Sequence, residues 1–333
     1  MAEVLSTDSR EKFDAAVRWA VESLRAGEVV ALPTETVYGL AANALDLEAV
    51  RRIFEIKGRP SRNPIIVHVA SYEMARNCVS EWNDAAEKLA KSFWPGPLTI
   101  VLPRSSIVPD VITGGGDTVG VRWPSHPLMQ EVIRQCGFPL AAPSANLSNQ
   151  LSPTTAEHVA KSLGDRIPLI VDGGAAHVGI ESTVVDASVS PARLLRPGII
   201  HRESLIAVLG AIADTAEPGK HLKSPGMLAR HYSPRARLVI RTWSNDAELA
   251  AQVAELRTDQ RQCHVIAHNR IPDPLGFGRV SLIPHDPEAY ARALYAELHK
   301  CDELGAELIV VEAVPNGPEW DAISDRLRRA ETR

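Results

Sequence analysis

The stretch Lys57-Gly58-Arg59-Pro60-Ser61-Arg62-Asn63-Pro64-Ile65-Ile66-Val67-His68 decides how the first part of the chain is read. It carries three cations and no acid, in a chain whose 36 Lys+Arg and 41 Asp+Glu give a formal net charge of -5. Ahead of it, Asp46 caps an expected helix in which Leu47, Val50, Ile53 and Phe54 recur at helical spacing. The helix ends at Lys57, because Gly58 suits the left-handed position beyond a helix end and Pro60 follows. Pro64 to Ala70 then reads as a buried strand, with His68 alternating with Ile66 and Ala70 on one face. The cations therefore occupy a stiff helix-to-strand connection outside the apolar core, where an anion is held at small ordering cost. A solvated basic loop would carry the same residues, so the reading depends on what surrounds it.

Upstream, Asp8 with Glu11 forms a capping box, and Phe13, Val17, Ala20, Val21 and Leu24 continue a helix that Gly27 ends. Val29 to Leu32 is a short buried strand that runs into the hydroxyl-rich segment Pro33-Thr34-Glu35-Thr36-Val37-Tyr38-Gly39-Leu40. Downstream come a helix from Asn83 to Trp94, a strand from Leu98 to Leu102, and Val119 to Trp123 behind a glycine turn. A helix spans His126 to Cys136, and Pro139 to Asn146 is a strand ending in small polar residues. Thr154 with Glu157 caps another helix. Leu169 to Asp172, Ser182 to Asp186 and Arg193 to Leu195 are β-like, the last running into Arg196-Pro197-Gly198. Strands and helices alternate with hairpin-like pairs, which implies an α/β domain with a mixed sheet over residues 1–210.

From about 211 to 235 the periodicity stops, and Pro218, Gly219, Pro225 and Gly226 mark a linker. Met227, Leu228 and Tyr232 beside Arg230 and His231 are unlike a plain tether, so the segment reads as an active-site lid, with domain docking as the alternative. In 236–333, strands Leu238 to Arg241, His264 to Ala267, Val280 to Ile283 and Leu308 to Val311 alternate with helices, the pattern of a small open parallel sheet of Rossmann type.

The bulk numbers exclude several classes. With 333 residues, 45% hydrophobic and 23% charged, the chain is of globular composition and long enough for two domains. Net acidity argues against coating nucleic acid by bulk charge, though not against a local basic cleft. Cys78, Cys136, Cys263 and Cys301 form no C-x-x-C pair, which fits a reduced, cytoplasmic setting. No signal peptide and no apolar run near the ~20 residues of a membrane span is visible.

Walker A, G-x-G-x-x-G, H-E-x-x-H and G-x-S-x-G motifs are absent. The candidate residues are polar groups at strand ends and adjoining turns: Thr34 and Thr36, the basic loop, His68, Thr118 and Arg122, Ser144 and Asn146, Ser182 and Thr183, and Arg196. Strand ends and their loops line the ligand crevice of open α/β sheets. Arg122 and Arg196 lie beside short apolar strands and need anionic partners, either a ligand or an internal carboxylate. His68 serves equally as a satisfied core histidine, and Ser144 and Asn146 as turn formers. Together they favour a cleft for an anionic ligand.

Eight motifs in order resemble the YrdC-like family: Pro33 to Leu40, Lys57-Gly58-Arg59, Asn63-Pro64 with His68, Trp94 to Thr99, Val121 to Pro124, Pro143 to Asn146, Glu181 to Asp186, and Leu195 to Gly198. Ser224 to Met227, His231 to Pro234 and the second α/β domain resemble the long, two-domain threonylcarbamoyl-AMP synthases, with Leu228-Ala229 departing from the usual linker pair. The resemblance implies a twisted mixed sheet with a large cationic cavity. It implies that L-threonine, bicarbonate or CO2, and ATP with its Mg2+ give threonylcarbamoyl-AMP and pyrophosphate. Partner proteins then transfer the threonylcarbamoyl group to tRNA, with at most weak RNA contact by this chain. For ATP it points to Lys57, Arg59, Asn63, Thr118, Ser144, Asn146, Ser152, Arg196, His231 and Tyr232, and for L-threonine to Thr36, His68, Arg122, Ala142 and Ser182. His68 and Lys57 are the catalytic candidates, and no protein metal site is implied. Two alternatives remain, a double-stranded RNA-binding module and a carbamoyl-transfer domain like that of hydrogenase maturation proteins. Net acidity opposes the first, and the absence of zinc-finger cysteine pairs opposes the second.

Overall fold

Helix Leu47–Lys57 starts and stops where its capping residues require. The Asp46 side chain accepts from the amides of Glu48 and Ala49, and Gly58 adopts φ 59°, ψ 38°. Its buried face carries Ala49, Val50, Ile53 and Phe54, each large side chain contributing about 1.5–3 kcal/mol. Lys57 is only 2% exposed and Arg59 8%, so these two cations lie inside the protein and not in a loop outside the core. The strand after the loop is also shorter than the sequence suggests, with only Val67–His68 in the ladder. Pro64 has no N–H to give, the Asn63 and Pro64 carbonyls accept from Arg59, and the Ile65 amide turns to Ile112 O.

The computed structural model describes residues 1–213 and 232–332. These fall into two compact units, 1–148 with 152–213, and 149–151 with 232–332. Residues 214–231 of the expected lid, His231 among them, lie outside the described residues. The first unit is built on ten strands: β1 (Glu3–Ser6), β2 (Val30–Leu32), β3 (Gly39–Asn43), β4 (Val67–His68), β5 (Leu98–Pro103), β6 (Thr118–Arg122), β7 (Leu140–Ala141), β8 (Leu169–Asp172), β9 (Thr183–Asp186) and β10 (Arg193–Arg196). They form one mixed sheet in the order β1-β8-β2-β3-β7-β4-β6-β5-β9-β10. Strands β1/β8, β2/β8, β4/β6 and β5/β9 are parallel, and the other neighbours antiparallel.

Period-two alternation divides the core between the two faces of this sheet. Val30, Leu32, Leu169 and Val171 face one way, onto helices Arg10–Arg25 and Pro127–Cys136. Ala31 and Ile170, next to them in sequence, face the other way, with the residues of helices Leu47–Lys57, Asp84–Phe93 and Ala156–Leu163. Two caps shift by one residue from the sequence reading. Ser9 accepts from the Lys12 amide while Asp8 pairs with the Lys12 ammonium at 2.8 Å, and Thr155, not Thr154, caps Ala156–Leu163.

The second unit holds β11 (Arg237–Arg241), β12 (Cys263–Ala267), β13 (Arg279–Leu282) and β14 (Leu308–Glu312), all parallel, in the order β11-β14-β12-β13. Its core gathers Val239, Leu249, Val253, Val265 and Val310. Among the described residues no helix is long and apolar enough to cross a membrane.

Candidate active site

Sheet register places the polar residues. His68 on β4 pairs with Arg122 on β6, and Thr99 on β5 pairs with Val184, itself opposite Arg196. Laterally paired residues project to the same face. Gly120 joins the two groups: a Cβ there would lie 3.1 Å from the Thr99 methyl and 3.6 Å from Ile66. His68, Arg122, Thr99 and Arg196 thus share one face of the central strands. Thr36 precedes β3 and Ser182 precedes β9, and each reaches onto that face.

On one side the guanidinium of Arg122 is fixed by a relay of hydroxyls. Its Nη2 donates to Thr36 Oγ1 at 2.9 Å. Thr34 Oγ1 donates to Val37 O at 2.6 Å, so the 2.9 Å contact between the two threonine hydroxyls has Thr36 as donor. The same Nη2 lies 2.8 Å from Glu35 Oε1, with the Arg122 and Glu35 side chains only 5% and 7% exposed. Neither Glu35 oxygen receives a hydrogen bond, and Arg122 Nε has no partner. Beside it His68 is buried, and burial followed by the Arg122 charge pushes its pKa down to about 3, with an Ile66 backbone hydrogen bond opposing. The imidazole is therefore neutral at physiological pH. Its Nδ1 has no partner and is an acceptor when the other nitrogen carries the proton.

On the other side Arg196 donates from Nε to Ser182 O at 3.0 Å and from Nη2 to Ser182 Oγ at 3.1 Å. Ser182 Oγ also meets Thr99 Oγ1 at 2.8 Å. Ala142 is tied by its amide to Ile66 O at 3.2 Å. Gly198 is required by a close approach, since a Cβ there would lie 2.4 Å from the Thr183 amide nitrogen.

Two of the three cations of the basic loop turn inward, while Arg62 is exposed. Lys57 Nζ donates to Ser144 O and Asn146 O, both at 2.5 Å, and to Asn146 Oδ1 at 3.3 Å. Burial, with Arg59 second, holds its pKa well below the usual lysine range. Arg59 closes its own loop, through Nε to Asn63 O at 3.1 Å and Nη2 to Pro64 O at 2.7 Å. The buried Asn63 amide has no hydrogen-bond partner at either atom. Ser152 Oγ donates to Glu181 Oε1 at 2.5 Å.

Of the expected residues, the structure joins Thr36 with Arg122, His68 with Arg122, Ser182 with Arg196, and Lys57 with Ser144 and Asn146. Thr118 stands at the opposite end of β6 from Arg122, roughly 13 Å along the strand at about 3.3 Å per residue. Tyr232 lies in the second unit, its ring 6.0 Å from Tyr295 and 5.4 Å from the Arg326 guanidinium. Glu35, Thr99 and Glu181 fall within the quoted motifs but were not singled out as partners of the site residues. Glu35 sits inside the quoted hydroxyl-rich segment and was the available signal for a partner to Arg122. Among the described residues no group of three or more His, Cys, Asp or Glu is placed to hold a metal ion.

Residues 22–198 match the family model described as telomere recombination. Residues 200–331 match that of the threonylcarbamoyl-AMP synthase C-terminal domain. A threonylcarbamoyl-AMP synthase of Pyrococcus abyssi is 42% identical over 321 residues, covering 94% of this chain and 93% of the relative. That of Bacillus subtilis is 40% identical over 330 residues, covering 97% and 95%. The crystal structure of P. abyssi Sua5 complexed with L-threonine superposes with a TM-score of 0.89 at 40% identity, covering 99% of this chain and 97% of that one. Escherichia coli YciO shares the fold of the first unit, at 23% identity and a TM-score of 0.53 over 60% of this chain and 97% of its own. The chain belongs to the threonylcarbamoyl-AMP synthase family, in its two-domain form.

Proposed function

We propose that this member makes L-threonylcarbamoyl-AMP and pyrophosphate from L-threonine, bicarbonate or CO2, and ATP, in the cytoplasm, for transfer to tRNA by partner proteins. The observation that carries the assignment of residues is the shared face of His68 and Arg122, bordered by Thr36 and Ser182. Arg122 receives the threonine carboxylate, because its Nε is buried without a partner and a carboxylate completes such a guanidinium with charge-assisted bonds. Neutral His68 accepts from the substrate at Nδ1 and orients it. Ser182 and the Ala142 backbone close the amino-acid pocket.

The threonine amino group combines with bicarbonate, losing water, to give a carbamate. A carbamate oxygen attacks the α-phosphorus of ATP, the bond to the bridging oxygen breaks, and pyrophosphate leaves; Mg2+ carried on the ATP phosphates would offset their charge. Charge develops on the phosphoryl and leaving groups, so positioned cations and hydrogen-bond donors supply most of the catalysis. Arg196, Arg59, Asn63, Thr118, Ser144, Asn146 and Ser152 are assigned to the nucleotide side, with Lys57 serving the same site. The test is mass spectrometry of the products from ATP, L-threonine and 13C-bicarbonate. A labelled threonylcarbamoyl-adenylate is expected, and ATP consumption without it removes the reading.

A further inference from the structure

We infer that Lys57 is a positioning residue, which serves the nucleotide site by holding the Ser144-Ala145-Asn146 turn and does not itself touch phosphate. The inference rests on the ATP site proposed above. Burial and Arg59 oppose the charged form of Lys57, but Nζ meets only acceptor oxygens, which an ammonium with three N–H donors and no lone pair satisfies and a neutral amine does not. Three oxygens converge on Lys57 Nζ: Ser144 O at 2.5 Å, Asn146 O at 2.5 Å and Asn146 Oδ1 at 3.3 Å. Every donor is used within the protein, and the residue is 2% exposed, so a phosphate oxygen would have to displace one of these carbonyls.

The main chain makes the same clamp. Lys57 O accepts from the Ser148 amide at 2.8 Å, so the end of helix Leu47–Lys57 grips the turn through both its side chain and its backbone. From the other side the Ala145 amide donates to Tyr38 O at 2.8 Å, and the Leu40 amide to Pro143 O at 2.7 Å. The turn is thus held between the entry to β3 and the end of that helix. Within it, Ser144 Oγ donates to Asn146 Oδ1 at 2.6 Å, the atom that Lys57 also reaches. Two donors fill that carbonyl oxygen, which fixes the Asn146 amide orientation and commits the Ser144 hydroxyl proton. Lys57 therefore sets how Ser144 and Asn146 face a ligand.

The test compares Lys57→Met, Asn146→Ala and the double variant of the full chain, with ATP and L-threonine affinities read by calorimetry. Bonds to a charged group imply that Lys57→Met weakens ATP by about ten- to a hundredfold, with threonine affinity within about twofold of the parent. Because Lys57 acts through Asn146, the double variant binds ATP no more than about twofold worse than the weaker single variant. Losses that multiply would mean two independent contacts and would overturn the inference. If Lys57→Met does not fold, Lys57→Arg decides the question. It keeps the charge, but a planar fork cannot meet three oxygens that converge on one nitrogen. Positioning predicts a loss of tenfold or more for Lys57→Arg, and near-parental ATP binding would sink the inference. A parent that binds threonine but not ATP removes the proposed nucleotide site itself, whatever the variants do.

Discussion

Replacing Arg122 by alanine tests the centre of the site, because it strands a charge. The Glu35 and Arg122 side chains are 7% and 5% exposed, and their closest atoms are 2.8 Å apart. Glu35 has no hydrogen bond at either oxygen, so Arg122 is its compensation. Removing one partner of a buried pair costs about 3–5 kcal/mol, and each kcal/mol moves Tm by about 2–4 °C in a unit of this size. Calorimetric unfolding of Arg122→Ala is expected to show the first unit's transition lowered by roughly 6–20 °C. Adding Glu35→Gln removes the stranded charge, so the double variant recovers at least half of that loss. Threonine affinity follows a different rule. It falls about ten- to a hundredfold in both variants, because both lack the guanidinium, while ATP affinity is little changed. A double variant no more stable than Arg122→Ala would refute the ion-pair reasoning, and unchanged threonine affinity would refute the pocket.

Three further outcomes follow from particular contacts. His68 has a pKa near 3 when folded, against about 6.5 in the unfolded chain, so the unfolded state alone binds its proton between those values. Its contribution to stability is complete above about pH 6.5 and lost as pH falls, by about 1.4 kcal/mol per unit. A His68→Gln variant unfolded in urea from pH 6 to pH 4 should show a correspondingly flatter dependence, and an unaltered slope would count against a buried neutral imidazole. Gly198→Ala places a methyl 2.4 Å from the Thr183 amide nitrogen, and overpacking against backbone costs about 1–3 kcal/mol; a chemical denaturation midpoint equal to the parent's would contradict that geometry. Arg59→Ala removes both bonds that close the Asn63-Pro64 loop, so thermal stability and ATP affinity should fall together, and an ATP titration matching the parent would return Arg59 to a structural role only.

Much of this was legible because short-range chemistry fixed it. The Asp46 cap and the left-handed Gly58 bound a helix within the sequence itself, and the conformations that result are local. Alternation of strands with helices, with hairpin-like strand pairs in the first part only, likewise indicated the mixed sheet of the first unit and the parallel sheet of the second. The short strand β4 was overestimated because Pro64 and the arginine bonds to the Asn63 and Pro64 carbonyls interrupt the ladder, and those bonds depend on a folded loop. The Ser9 and Thr155 caps were missed by one residue, since adjacent hydroxyl and carboxylate side chains have similar capping capacity and geometry chooses between them.

The sequence by itself determined the element types, the two α/β parts and the family, because these depend on periodicity, caps and motif order along the chain. It also supplied the cations and hydroxyls of the site. Which charge meets which partner was decided only by the tertiary structure. Lys57 and Asn146 are 89 residues apart, Arg122 and Thr36 86, and sheet order sets both encounters. Spacing along the chain carries no record of the turn that gathers three oxygens around one ammonium, or of the strand register that seats Arg122 against Glu35. A buried charge must find its counter-charge somewhere in the fold, and only the folded chain specifies where.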